Sequence, residues 1–214
     1  MARTAGSDGE KTEAAIREAA LTLIARQGYE AVSMRQLAAE VGVQAAALYR
    51  YFPTKEDLLH TLMVAHMEGL IASWRRADQP TADAVERLER FVSNHIAFHV
   101  GRRHSTHVSN MELRSLSRDR LSVMLRLRAT YEKELRQILR GGQDAGAFDI
   151  DDITLTAMAI IQMTTGVIVW FRPDERLSVA EVAASYHTMT MRLVGARDNR
   201  EAAHVRPFNE LRAG

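Results

Sequence analysis

Residues 33–53 read SMRQLAAEVGVQAAALYRYFP, and the spacing inside this stretch decides the fold. Ser33-Met34-Arg35-Gln36 has the form of a capping box, in which Ser33 bonds the backbone of Gln36 and Gln36 bonds back. The short helix it opens ends at Gly42, a turn position that suits a positive φ. A second helix covers about Gln44 to Phe52, and Pro53 stops it. Leu37, Val41, Val43, Leu48 and Tyr51 fall where two such helices pack on each other and on a preceding one. Ala38 is small enough to let them cross closely. Together these positions describe a helix-turn-helix; a plain αα-corner is the alternative.

Working outward, apolar residues recur every three or four positions, which argues for an all-α protein. Upstream, Ile16, Ala20, Leu23 and Ile24 share one face of a helix from about Glu13 to Gln27, with Thr12 as its N-cap and Gly28 as its stop. Downstream, Thr54 caps a fourth helix carrying Leu58, Leu59, Leu62, Met63, His66, Met67, Leu70 and Trp74. After the break at Gln79-Pro80-Thr81, helices are expected near 81–100, 105–115 and 118–140, the last closed by the cluster Gly141-Gly142, Asp144 and Gly146. Two more are expected at 151–171 and 178–194, the second opened by the capping box Ser178 to Glu181. The expected architecture is a three-helix N-terminal helix-turn-helix domain (12–55) joined through helix four to a larger helical domain (56–195). A flexible N-terminus (1–11) and a frayed C-terminal tail (196–214) complete it.

The chain has 214 residues, 46% hydrophobic and 26% charged, enough for a substantial core. The absence of cysteine excludes disulfides, thiolate metal sites and a cysteine nucleophile. The N-terminus lacks an apolar leader, and the most apolar stretch, about Ala157 to Phe171, is shorter than the ~20 residues of a membrane span. A soluble, cytoplasmic protein is therefore expected, with no membrane partner. Esterase, zinc-protease and phosphate-loop motifs are missing, and a di-iron bundle would need two Glu-x-x-His pairs where one, Glu201 to His204, is present. No enzyme activity and no cofactor are expected.

The string from Thr12 to Gln27, then Gly28-Tyr29, SMRQLAAEVGV (33–43) and ALYRYFPTKEDLL (47–59), closely resembles the N-terminal domain of TetR-type bacterial transcriptional regulators. The resemblance implies binding to double-stranded operator DNA. It implies that Ser33 and Lys55 hold phosphates and that Arg35 reaches a base edge. Gln44, Ala45 and Ala46 would face the major groove, and Tyr49 and Tyr51 would pack on or bond to the DNA backbone. Phe52 reads as core and Arg50 as either a DNA contact or a solvated surface. The recognition helix begins Gln-Ala-Ala-Ala, whose methyls can meet thymine but make no bidentate bonds. Arg35 and Gln44 are therefore expected to carry most hydrogen-bonded readout. Residues 1–55 hold seven Lys/Arg against six Asp/Glu, so affinity must come from a few placed cations and from pairing of two copies.

In regulators of this type the last two long helices dimerise, which here implies a homodimer through 151–171 and 178–194. Paired recognition helices would then lie ~34–36 Å apart, one DNA turn. Met67, Met111, Met124 and Met163, with Trp74, Phe91, Phe98, Tyr131 and Trp170, are candidates for an apolar effector pocket. Asn110 to Leu116 and Val169 to Pro173 are similar to the branch that answers to acyl-CoA thioesters. Arg102, Arg103 and Arg114 are candidate cations for such a ligand. His95, His99, His104 and His107 place four of the eight histidines in thirteen residues. His95 and His99 share a helix face and are pocket candidates; as a weaker alternative they bind a metal in a metal-sensing regulator. A helical binding protein or enzyme without DNA function is the remaining reading.

Overall fold

A computed structural model describes residues 5–173 and 176–196. They form helices α1 (Ala5–Gln27), α2 (Met34–Val41), α3 (Ala45–Tyr51), α4 (Lys55–Ala77), α5 (Ala84–Val100), α6 (Arg103–Met111), α7 (Arg118–Asp144), α8 (Ile153–Thr165), α9 (Val167–Trp170) and α10 (Val179–Leu193). A single 3-10 turn, Leu113–Ser115, lies between α6 and α7, and no strand occurs among the described residues. All but the first residue of the expected C-terminal tail, 196–214, lies outside the described residues.

The head is α1 to α3. Ile16, Ala20, Leu23 and Ile24 of α1 close over Met34, Leu37 and Ala38 of α2 and over Leu48 of α3. Gly42 ends α2 at φ 75°, the left-handed conformation that a side chain would strain. Phe52 is core, 4% exposed, as its reading required. Helix α1 departs from expectation by starting at Ala5, so Thr12 lies inside it. Residues 10–15, Glu-Lys-Thr-Glu-Ala-Ala, are mostly strong helix formers and carry the helix past the expected cap.

Helix α4 leaves the head and packs against α5, α6 and α7 of the body. It begins with a complete capping box between Thr54 and Asp57. Helix α5, opened by Asp83 rather than Thr81, lies centrally and touches α4, α7, α8, α9 and α10. Trp74 and Phe91 meet edge to face at 5.0 Å, and Phe91 stacks on Tyr131 at 5.0 Å. Helix α8 breaks at Gly166 and continues as α9. The apolar run from Ile153 to Trp170 is longer than the sequence reading allowed: 18 residues at mean hydropathy 1.7, 28% of them buried in one chain. By length and composition alone it could cross a bilayer.

Helix α7 ends inside the expected cluster, at Asp144, after running past Arg140 and through the Gly141-Gly142 pair. Gly142 is a seat for Phe148: a Cβ there would lie 2.1 Å from the ring's Cδ2. The carbonyl of Gly142 accepts from the backbone N–H of Ala147 and of Phe148, which holds the ring in place. Gly→Ala inside a helix ordinarily gains about 1 kcal/mol. At Gly142 the sign is expected to reverse, with Gly142→Ala losing about 1–3 kcal/mol by displacing a buried ring. Urea unfolding would show this as a lower midpoint at unchanged slope.

Candidate nucleic-acid interface and buried cavity

The face of the head away from the body is built on α2 and α3. Ser33 caps α2, its Oγ accepting from the N–H of Gln36 at 3.1 Å. The expected box is only half formed, because the Gln36 amide turns to the Gln27 side chain at 3.2 Å. Ser33, Arg35, Gln44, Ala46 and Tyr49 are exposed, with Tyr49 47% so; Ala45 and Tyr51 are half-buried. Arg50, which the sequence left undecided, is exposed beside them. Neither Arg35 nor Arg50 has a carboxylate partner among the described residues, which leaves both guanidinium groups available to an anion. Gln44 stands at the start of α3 without a capping bond, so its amide is uncommitted.

Lys55 is placed differently from its expected role. Its Nζ donates to the carbonyls of Tyr29 and Val32 at 3.0 and 3.1 Å and lies 4.2 Å from the centre of the Tyr29 ring. Two carbonyls and a π face already hold this ammonium, so its first task is to lock the α1–α2 turn.

Two further links fix the head on the body. The buried Glu112 carboxylate, just past α6, accepts from the Tyr29 backbone N–H at 3.1 Å and from the Ser115 hydroxyl at 3.1 Å. At the start of α4, Glu56 accepts from the Ser117 backbone N–H at 2.7 Å, and Asp57 pairs with Arg120. Those contacts hold both carboxyls below their usual range: chiefly the Ser117 bonds for Glu56, and the Thr54 bond, then Arg120, for Asp57.

Helices α4 to α8 line a partly open cavity of about 150 Å³. Of the expected pocket residues, Met67, His95, His99 and Tyr131 line it. Trp74, Phe91 and Met124 are sealed in the core, fully buried; Phe98 is also buried, away from the cavity under the Arg102 guanidinium. Met163 is half-buried away from the lining, and Met111 and Arg114 are exposed outside it. Trp170, 47% exposed, stacks on Tyr186 of α10 instead. Large aromatic rings fill the gaps between helices, and the smaller, more polar residues are left to face the space. Arg103 is also spent, donating to the carbonyls of Ile168 and Phe171.

The lining that the sequence did not offer is mostly polar. Arg128 on α7 reaches the cavity and donates to the carbonyl of Ser109 at 2.8 Å and to the Asn110 side chain at 3.0 Å. It has no carboxylate partner among the described residues, and burial lowers its pKa, the mark of a cation missing a counter-charge. His66 from α4 joins His95 and His99. His95 bonds Tyr131 Oη through Nδ1 at 3.0 Å and Thr165 Oγ1 through Nε2 at 2.9 Å. The His95 and His99 rings stack at 4.1 Å, so their in-plane lone pairs do not converge. Both His95 nitrogens are committed, and the described residues hold no group of three metal-ligating side chains. His104 and His107 point outward. Nothing among the described residues supports the metal-sensing alternative.

Comparison with known proteins agrees with this layout. Residues 16–62 match the family model for bacterial regulatory proteins of the tetR family, and residues 81–194 match that of a tetracyclin repressor-like C-terminal domain. The chain is 24% identical over 190 residues to the transcriptional repressor KstR2 of Rhodococcus jostii, covering 88% of this chain and 92% of that one. A tetR-family regulatory protein from Rhodococcus RHA1 superimposes with TM-score 0.84 at 32% identity, over 88% of this chain and 99% of its own. AibR, solved in complex with isovaleryl coenzyme A and operator DNA, gives TM-score 0.78 at 26% identity, over 87% of this chain and 100% of its own. A helix-turn-helix head on a hollow helical body, matched along nearly its whole length, places the chain in the TetR family of DNA-binding transcriptional regulators, which are not enzymes.

Proposed function

We propose that the protein is a homodimeric repressor that leaves its operator when a coenzyme A thioester enters the body cavity. The observation that carries this is a continuous connection from cavity to head. Arg128 holds Ser109 and Asn110 on the cavity wall. Two residues on, Glu112 holds the backbone of Tyr29 in the head. A ligand that draws Arg128 toward its own anionic or carbonyl groups pulls on the end of α6, and the Glu112 bond passes the shift to the α1–α2 turn. AibR, with its isovaleryl coenzyme A and operator DNA, supports the class of effector.

Pairing of two copies is supported by an apolar face on the last three helices. Leu155, Met158, Val169, Trp170, Met189 and Leu193 are all between 46% and 74% exposed. A second copy across a twofold axis covers such a surface and brings two heads to one side of a duplex. This accounts for the apolar Ile153–Trp170 run without a membrane, and such a regulator would act in the cytoplasm.

The test is fluorescence anisotropy with labelled DNA from the region upstream of the protein's own gene, titrated with short-chain acyl-CoAs. Effector and operator should oppose each other by about 1–3 kcal/mol, a 5- to 150-fold loss of DNA affinity at saturation. A saturating thioester that leaves DNA affinity unchanged would refute the scheme. In the same assay Glu112→Gln is expected to keep acyl-CoA binding while shrinking that loss, because a neutral amide accepts the Tyr29 N–H more weakly.

A further inference from the structure

The hydrogen-bond bookkeeping at the deep end of the cavity goes further than its shape. Ser105 Oγ donates its one hydrogen to the Arg102 carbonyl at 3.0 Å. Toward His66 Nδ1, 3.0 Å away, that oxygen can then only accept. With that hydrogen on the carbonyl, His66 is the Nδ1–H tautomer and its Nε2 carries a lone pair. His99 reaches the same state by another route: its Nδ1 lies 2.8 Å from the His95 carbonyl, which only accepts, so Nδ1 bears the proton and Nε2 the lone pair.

Among the described residues nothing bonds either Nε2 atom, and neither is sealed away from the cavity that both rings line. The rings stand edge to face with centres 5.5 Å apart. Ser109 is on the same lining, but its hydroxyl is sealed from the space and has no partner among the described residues. The site therefore holds two acceptors beside one small space. Burial holds His66 down to about 3 and His99 to about 4, so neither ring becomes a donor near neutral pH.

The geometry points to an effector whose buried end carries a hydroxyl, so that the acyl group of the thioester is a hydroxyacyl and not an unsubstituted alkanoyl group. This rests on the cavity being the site of a coenzyme A thioester. A hydroxyl donates one hydrogen, which answers an imidazole lone pair. An alkyl end would strip the water from the imidazole nitrogens and return nothing, and a ketone would bring a third acceptor to a site that already has two. A pocket built to bond a hydroxyl penalises the analogue lacking it far more than an apolar pocket penalises a methylene.

Calorimetric titration of the full-length protein with matched sets decides it: butyryl-, 3-hydroxybutyryl- and 3-oxobutyryl-CoA, and hexanoyl-, 3-hydroxyhexanoyl- and 6-hydroxyhexanoyl-CoA. At least one hydroxyacyl-CoA should bind about tenfold or more tighter than its alkanoyl and oxo counterparts, the worth of one unmatched buried bond. In His99→Phe and His66→Phe that preference should fall while alkanoyl-CoA affinity holds. If alkanoyl and hydroxyacyl thioesters bind equally well to the wild type, hydroxyl selection is overturned and the thioester reading stands. If no thioester binds, the thioester reading fails and this inference with it. The wild-type ratio decides the question even if a variant does not fold.

Discussion

Acidification from about pH 7.5 to about pH 5 is expected to lower the melting temperature steeply, with most of the loss below about pH 6.5, where unfolded histidine begins to protonate. His66, His95 and His99 are 5%, 1% and 4% exposed. Desolvation is the largest cause of each depressed pKa: His66 is lowered to about 3, His99 to about 4, and His95 well below its ordinary value. The nearby charges add to the effect for His66, since Arg102 and Arg128 both disfavour a further cation there. The carboxylate on this lining, Glu132, pairs with Arg136. Between about pH 6.5 and about pH 4 the unfolded chain binds protons that the folded chain refuses, so stability rises with pH across that window. Each fully resistant imidazole contributes about 1.4 kcal/mol per pH unit, hence roughly 2 kcal/mol at pH 5. Three of them approach ~6 kcal/mol as an upper bound, comparable with the whole stability of a typical domain, ~5–15 kcal/mol. Thermal melts followed by circular dichroism check this. A midpoint flat across that range would mean that the cluster takes up protons in the folded state. His99→Phe should flatten the profile by roughly a third, one of three equivalent groups.

The residues legible in sequence were those whose roles are settled within one or two helical turns. Leu37, Ala38, Gly42, Leu48 and Phe52 sit as their spacing required because the head packs over short separations. Ser33 and Ser178 cap as expected for the same reason. The Lys55 contact was not legible, because the carbonyls it binds belong to a turn 23 to 26 residues earlier and no local pattern reports them. Composition suggested an aromatic pocket, but large apolar rings were drawn into the core, where burial gains most. Trp74 and Phe91 went there, and the space was left to His66, Arg128 and their neighbours. His66 was visible on the face of the fourth helix, yet only the crossing of α4 over α5 brings it within 5.5 Å of His99. Arg128 carried no such signal either, because Glu132 stands one turn away on the same helix and reads as its partner, while in the fold Glu132 pairs with Arg136 instead.

Arg35→Ala is expected to abolish specific operator binding at physiological salt without changing thermal stability. Arg35 is exposed and no carboxylate holds it, so its removal leaves the core and the ion pairs of the head intact. The start of α3 offers Gln44 and three alanines, so bidentate bonding to a guanine edge depends on the one guanidinium that α2 presents. Such a contact is worth about 1–3 kcal/mol. A dimer uses it twice, so the combined loss is about 2–6 kcal/mol, on the order of a hundredfold or more in affinity. Lys55 and Arg50 should separate in their response to salt. The Lys55 ammonium is already committed to protein carbonyls, so it releases few counterions from DNA, and Lys55→Met should act through a loosened α1–α2 turn, lowering the melting temperature while the salt slope holds. Arg50 is exposed and unpaired; Arg50→Ala should leave the melting temperature alone and reduce the slope of log affinity against log salt by about 1 for each phosphate it meets. The opposite pattern, a salt effect at position 55 and none at 50, would show that Lys55 gives up the Tyr29 and Val32 carbonyls when DNA arrives, and that the α1–α2 turn rearranges on binding.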